Sequence, residues 1–134
     1  MTTSTTTKSI KYSTAAIRRG ERALCCSPFQ LGLLTAMARE SISLGVIAGS
    51  NGYEKGYTKI VVSLAKAESS LMWFIDVGLL RREVDGQGLT DSFRLTPLGR
   101  QLAAKWQERG GSLPQPSWCD RLQDTLTSWF KWLL

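Results

Sequence analysis

The sequence predicts a mainly α chain with one small β-hairpin, and three observations carry that expectation. Apolar residues recur at the helical period in several windows, as in Leu31, Leu34, Met37 and Ala38, the stripe that an amphipathic helix buries. Two short runs, Leu80-Arg81-Arg82-Glu83-Val84 and Ser92-Phe93-Arg94-Leu95-Thr96, read as strands joined by the turn residues Asp85-Gly86-Gln87-Gly88. Two hydroxyl-proline pairs, Ser27-Pro28 and Thr96-Pro97, mark helix starts, because the hydroxyl caps a free amide and proline at the first helical position has none to leave unpaired. A chain of 134 residues, 43% apolar and 21% charged, has the balance of one globular domain.

Residues 1–12 are expected as a flexible polar arm, rich in Thr and Ser. Residues 13–111 form the folded domain, and residues 112–134 a separate Trp-rich helix. Tyr12 to Leu24 reads as a short helix capped by Ser13 or Thr14, with Arg18, Arg19 and Arg22 at i, i+1 and i+4. Ser27, Pro28 and Gln30 then have the pattern of a capping box, so a helix is expected from 28 to about 43. Ile42, Leu44, Val46 and Ile47 suit a short strand or a broken helical turn. Most of 45–57, with its glycines and Ser-Asn-Gly, reads as loop.

Tyr57 to Val77 is a long helical window. Ile60, Leu64, Ala67, Leu71 and Phe74 or Ile75 form its inner stripe, broadened by Val61, Met72 and Val77. Lys59, Ser63, Lys66, Ser70 and Trp73 fall on the outer side. Gly78 ends the window in the left-handed region. Gly86 and Gly88 are expected to take positive φ at the hairpin tip, and Gly99 to let the next helix approach the sheet closely. That helix, capped by Thr96, buries Leu98, Leu102 and Trp106 and stops at Arg109-Gly110-Gly111. After the linker at 110–117, Trp118, Leu122, Leu126, Trp129 and Leu133, with Phe130 beside them, line an apolar helical face; standing beyond a linker it would be too large for a small domain to cover and would mark a partner surface, the alternatives being that it packs back on its own domain or meets a membrane interface.

Composition narrows the function classes. There is no histidine, which removes the common general base and the usual zinc nitrogen ligand. Glu40, Glu54, Glu68 and Asp76 are scattered beside bases, and Gly45–Gly56 lacks the Lys-Ser/Thr ending of a phosphate-binding loop. No enzyme, cofactor or metal is expected. The adjacent Cys25 and Cys26, with Cys119 far downstream, make a poor disulfide framework and suit reduced thiols. No run reaches the length of a membrane span and the first residues have no apolar leader, so a cytoplasmic chain without an integral membrane span is expected. The net charge of +6 favours polyanions. It concentrates in residues 1–31, where Lys8, Lys11, Arg18, Arg19 and Arg22 face only Glu21, and in residues 81–111.

Phe74-Ile75-Asp76-Val77-Gly78-Leu79-Leu80-Arg81-Arg82 and Phe93-Arg94-Leu95-Thr96-Pro97-Leu98-Gly99-Arg100-Gln101-Leu102 together resemble part of a winged helix-turn-helix. They are similar to the end of a recognition helix, the wing and the opening of the next helix in regulators of the MarR and PadR type. The resemblance spans about residues 28–108 and is sharpest over 74–103. It implies a dimeric, sequence-specific regulator of transcription that binds double-stranded DNA. Lys59, Ser63, Lys66 and Ser70 would then face the major groove, with Arg81, Arg82 or Arg94 along the backbone and Arg18, Arg19 and Arg22 on phosphates. Trp118, Leu122, Leu126, Trp129, Phe130 and Leu133 would form the homodimer interface. The neutral recognition segment and the apolar C-terminus support an alternative, a winged-helix module that binds another protein or a membrane surface without DNA.

Overall fold

The computed structural model describes residues 11–111 and Leu113. The expected arm up to residue 10, and the C-terminal helix with Trp118, Leu122, Leu126, Trp129, Phe130 and Leu133, lie outside the described residues. In chain order the elements are α1 (Thr14–Cys26), α2 (Leu31–Arg39), β1 (Ile42–Ser43), α3 (Leu44–Ile47), α4 (Gly49–Glu54), α5 (Leu64–Asp76), β2 (Leu80–Asp85), β3 (Gly88–Leu95) and α6 (Pro97–Glu108). The described residues are thus mainly helical around a three-stranded antiparallel sheet of order β1-β3-β2. The short β1 lies against the hairpin, with Ile42 opposite Phe93 and Ser43 opposite Ser92.

Local chemistry fixes three helix starts. Ser13 Oγ accepts from the Ala16 amide at 3.1 Å, Ser63 Oγ from Lys66 at 3.1 Å, and Thr96 Oγ1 from Gly99 at 3.1 Å. Each hydroxyl satisfies an amide that the first helical turn cannot. Thr96 Oγ1 also donates to the Gly78 carbonyl oxygen, which ties the start of α6 to the end of α5. Gly78 has φ +87° and reverses the chain after α5, as its position in the sequence predicts. Gly99 sits where a Cβ would press on the Leu79 carbonyl oxygen, so α6 comes against the start of β2 at a distance that excludes any side chain.

Phe29, Leu33, Leu34, Met37, Ile47, Leu71, Phe74, Leu79, Phe93, Leu95 and Leu102 fill the core that all layers share. Phe29 and Phe74 meet edge to face, with ring centroids 5.4 Å apart, a favoured aromatic geometry. Gly20 brings α1 down onto this core: a Cβ there would lie 3.0 Å from Leu102 and 3.1 Å from Leu79.

Several local expectations are corrected. The helix expected from 28 to about 43 is α2, Leu31–Arg39. Ser27 instead closes α1, its Oγ donating to the Leu24 carbonyl at 2.9 Å and accepting from the Phe29 amide at 3.2 Å. Phe29 pairs with Thr58, and the Gln30 side chain donates to the Thr58 carbonyl at 3.1 Å. A distant bridge thereby takes the residues that a capping box would have used. At the other end, Ile42 and Ser43 leave the helix to pair with β3. The loop expected over 45–57 contains α3 and α4. At Gly52 a Cβ would run into the Ile47 carbonyl, so this glycine marks close helix packing rather than a turn.

The helix expected from Tyr57 starts only at Leu64. The preceding stretch is irregular, bent at Tyr57, Lys59 and Ile60 and pinned by two isolated bridges: Thr58 pairs with Phe29 and Val62 with Gly49, whose amide donates to the Val62 carbonyl at 2.7 Å. Extending the helical stripe back through this stretch placed Ile60, Val61 and Leu64 inside. They are 63%, 57% and 58% exposed, and Met72 is 42% exposed. Of the stripe, Ala67, Leu71, Phe74 and Val77 are buried. At the hairpin tip only Gly88, with φ +120°, has positive φ; Gly86 does not.

Candidate functional site

Two exposed surfaces collect the residues that the sequence singles out: the outer side of α5 with the hairpin, and the outer side of α1. On α5, burial of Ala67, Leu71 and Phe74 turns the opposite arc to solvent, and Ala65, Lys66, Glu68, Ser69, Met72 and Asp76 are exposed there. Lys66 therefore projects outward as expected. Ser63 is spent on the helix cap, and Ser70 is half-buried at the edge of the packed face. Lys59 is not on the helix: it lies in the irregular stretch, where its amide donates to the Pro28 carbonyl at 2.8 Å, and its side chain is exposed. The helix arc thus presents one lysine beside two carboxylates, Glu68 and Asp76.

The hairpin arginines are engaged within the protein. Arg81 stands opposite Arg94 on one face of the ribbon, and Arg82 opposite Phe93 on the other. Glu83 takes both members of the first pair: Arg81 Nη1 lies 3.2 Å from Oε2, and Arg94 Nη1 3.7 Å from Oε1. Arg94 Nη2 also donates to the Arg39 carbonyl at 2.9 Å, pinning β3 to the end of α2. Arg82 lies 5.2 Å over the Phe93 ring, and its Nη2 reaches Met72 Sδ at 3.4 Å, which joins the hairpin to the outer side of α5.

Around these groups the surface is apolar. Tyr53, Ile60, Val61, Leu64, Met72, Val84 and Leu89 are the large hydrophobic side chains exposed among the described residues. All fall between α4 and the hairpin tip. Val84 and Leu89 face each other across the ribbon, 68% and 71% exposed. Sequence reasoning missed Tyr53, Val84 and Leu89 as surface groups. The signal for the last two was their place beside the turn, beyond the point where Leu80 and Phe93 meet the core.

The second surface is cationic. Arg18 and Arg19 are exposed on α1, and Arg22 is half-buried. None of the three makes an ion pair or hydrogen bond among the described residues, and Arg22 Nε is buried without an acceptor. The opposite side of α1, with Gly20, Ala23 and Leu24, is buried against the core. Glu21 is paired with Lys105 of α6. Lys105 and Arg109 each lie 5.3 Å from the Trp106 ring, which is therefore capped by two cations. The ten predicted contact residues are thus not gathered on one face. They divide between α1, the stretch from Lys59 into α5, and a hairpin whose arginines are engaged within the protein.

Cys25 is buried and Cys26 half-buried at the end of α1. Among the described residues no group of His, Cys, Asp and Glu side chains could hold a metal ion, and no helix is long and apolar enough to cross a membrane. No curated protein and no solved structure matches the chain. A family model described as Npun_F0494-like matches residues 10–128, and the chain belongs to that family.

Proposed function

We propose that this Npun_F0494-like protein is a winged-helix interaction module that docks another protein on the side where α5 meets the hairpin. The order α2, β1, α3 and α4, α5, hairpin and α6, with β1 paired to β3, supports a winged helix-turn-helix similar to the MarR and PadR type. One observation carries the docking reading: Met72 of α5, which the hairpin's Arg82 reaches, and the cross-strand pair Val84 and Leu89 of the ribbon are large apolar side chains left exposed, with Leu64 exposed at the start of the same helix. Apolar area of this kind marks a protein interface, whose buried centre is poor in charge. A helix that reads base edges most often does so with Arg, Lys, Asn or Gln on its outward arc. Here that arc would set Glu68 and Asp76 against a polyanion. The partner that fits is an amphipathic helix laying apolar side chains against α5 and the ribbon.

A photo-crosslinking amino acid placed at Leu64 or at Met72, with Arg100 on α6 as the control position, tests this in cells. The expected result is one discrete protein adduct from positions 64 and 72 and none from 100. Equal labelling at all three positions, or none at any, overturns the reading.

A second reading, the sequence-specific DNA-binding regulator, is favoured by Lys59 and Lys66 standing exposed around the start of α5. Its test is a duplex gel shift with K59Q/K66Q, which on this reading abolishes the shift. Dimerisation through the C-terminal helix belongs to either reading. A monomer on sedimentation after deletion of residues 112–134, from a dimeric full chain, is the outcome expected of it.

A further inference from the structure

The outer side of α1 carries three guanidinium groups that nothing in the described chain neutralises. Arg18 and Arg22 are one turn apart on the same face, and Arg19 is one turn from Arg22 on the adjoining face. Like charges at these spacings repel across the helix surface. The one carboxylate on α1, Glu21, is committed to Lys105. The hairpin offers a direct contrast, since there Glu83 answers Arg81 and Arg94. Arg22 Nε is also shielded from solvent without an acceptor in the described chain, a state it shares with Arg82 and Arg94 of the hairpin; what sets Arg18, Arg19 and Arg22 apart from Arg81 and Arg94 is that no described carboxylate faces them. Arginine forks without carboxylates match phosphate oxygens, which they bind bidentately.

We infer that the Arg18-Arg19-Arg22 face of α1 binds the phosphate backbone of double-stranded nucleic acid, without reading its sequence and independently of α5. A bilayer is disfavoured because a membrane-surface helix must bury an apolar side in the lipid. The apolar side of α1 is already seated in the core, and no exposed large hydrophobic group lies on this helix. Phosphate binding needs only the cations. The close seat of α1 at Gly20 holds the three arginines on a fixed support.

The test is fluorescence anisotropy of the full chain with a mixed-sequence duplex of about 20 base pairs at 50 and 200 mM salt. Three phosphate contacts predict a fall in affinity of roughly 40-fold between those salt concentrations. The variant R18Q/R19Q changes only exposed side chains, and circular dichroism checks that it is folded. It is expected to lose at least tenfold in affinity at 50 mM salt and most of the salt dependence, whereas K59Q/K66Q keeps wild-type binding. A second duplex of unrelated sequence is expected to bind equally. The inference is overturned if R18Q/R19Q binds like wild type, if K59Q/K66Q loses as much, or if the two duplexes differ by more than a few-fold. It is also overturned if the protein binds vesicles containing phosphatidylserine at 50 mM salt but not the duplex.

Discussion

α1 and α5 are both thirteen-residue helices packed on the same core, each with one buried face and one open face. Their open faces differ in kind. Among the described residues, that of α1 holds arginines with no counter-charge and exposes no large apolar group. That of α5 holds Leu64 and Met72 in the open, faces a ribbon tipped by Val84 and Leu89, and mixes Lys66 with Glu68 and Asp76. The lesson is that net charge does not locate a binding face. The overall +6 suggests a polyanion partner, but the helix that resembles a reader of DNA is the one whose surface suits protein. Where a charge stands, and whether a neighbour already answers it, decides what the surface can hold.

Substitutions within α5 test the contrast between its two sides most sharply. Phe74→Ala removes a fully buried ring from its edge contact with Phe29 and is expected to cost about 3–5 kcal/mol in urea unfolding. Leu64→Ala, on the open side, is expected to change stability by less than about 0.5 kcal/mol. Comparable costs for the two would mean that Leu64 is not a surface residue. Gly99→Ala forces a methyl group onto the Leu79 carbonyl beneath the hairpin, with an expected loss of about 2–3 kcal/mol. Because α6 supports both open faces, duplex binding and crosslinking are expected to fail together as that variant unfolds on warming; failure of only one would separate the faces.

Smaller effects refine the assignment of single residues. Ser63→Ala removes the α5 cap and is expected to cost about 1 kcal/mol, without altering duplex affinity. A drop in affinity in the still-folded variant would return Ser63 to the role of a nucleic-acid contact. Glu21→Gln breaks the pair with Lys105, whose side chains are 23% and 34% exposed, and is expected to cost about 0.5 kcal/mol or less. It also removes the last carboxylate from α1, so duplex binding is expected to tighten about two- to threefold, measurable by the same anisotropy titration.

What the sequence could and could not disclose is clearest at its two hydroxyl-proline pairs. Thr96-Pro97 opens α6 as expected, because the cap bond to Gly99 is made within one turn. Ser27-Pro28 has the same local chemistry but does not open a helix, because Phe29 and Gln30 are held by Thr58, and no local pattern announces so remote a partner. Lys66 was legible for the same reason as Thr96: its neighbours Ala67 and Leu71 set the inward direction within a single turn. Lys59 and Ile60 were not, since their place depends on an irregular stretch held by Phe29 and Gly49. The hairpin as an element was readable from its turn residues. The fate of its arginines was not, because it rests on which residues face each other and on the register shift between Arg82 and Val84.

Glu83 holds two guanidinium groups with one side chain. Exchange of that acid for a neutral amide would take from Arg81 its described carboxylate, leave Arg94 held by the Arg39 carbonyl alone, and raise the charge of the ribbon by one without altering its length or its turn.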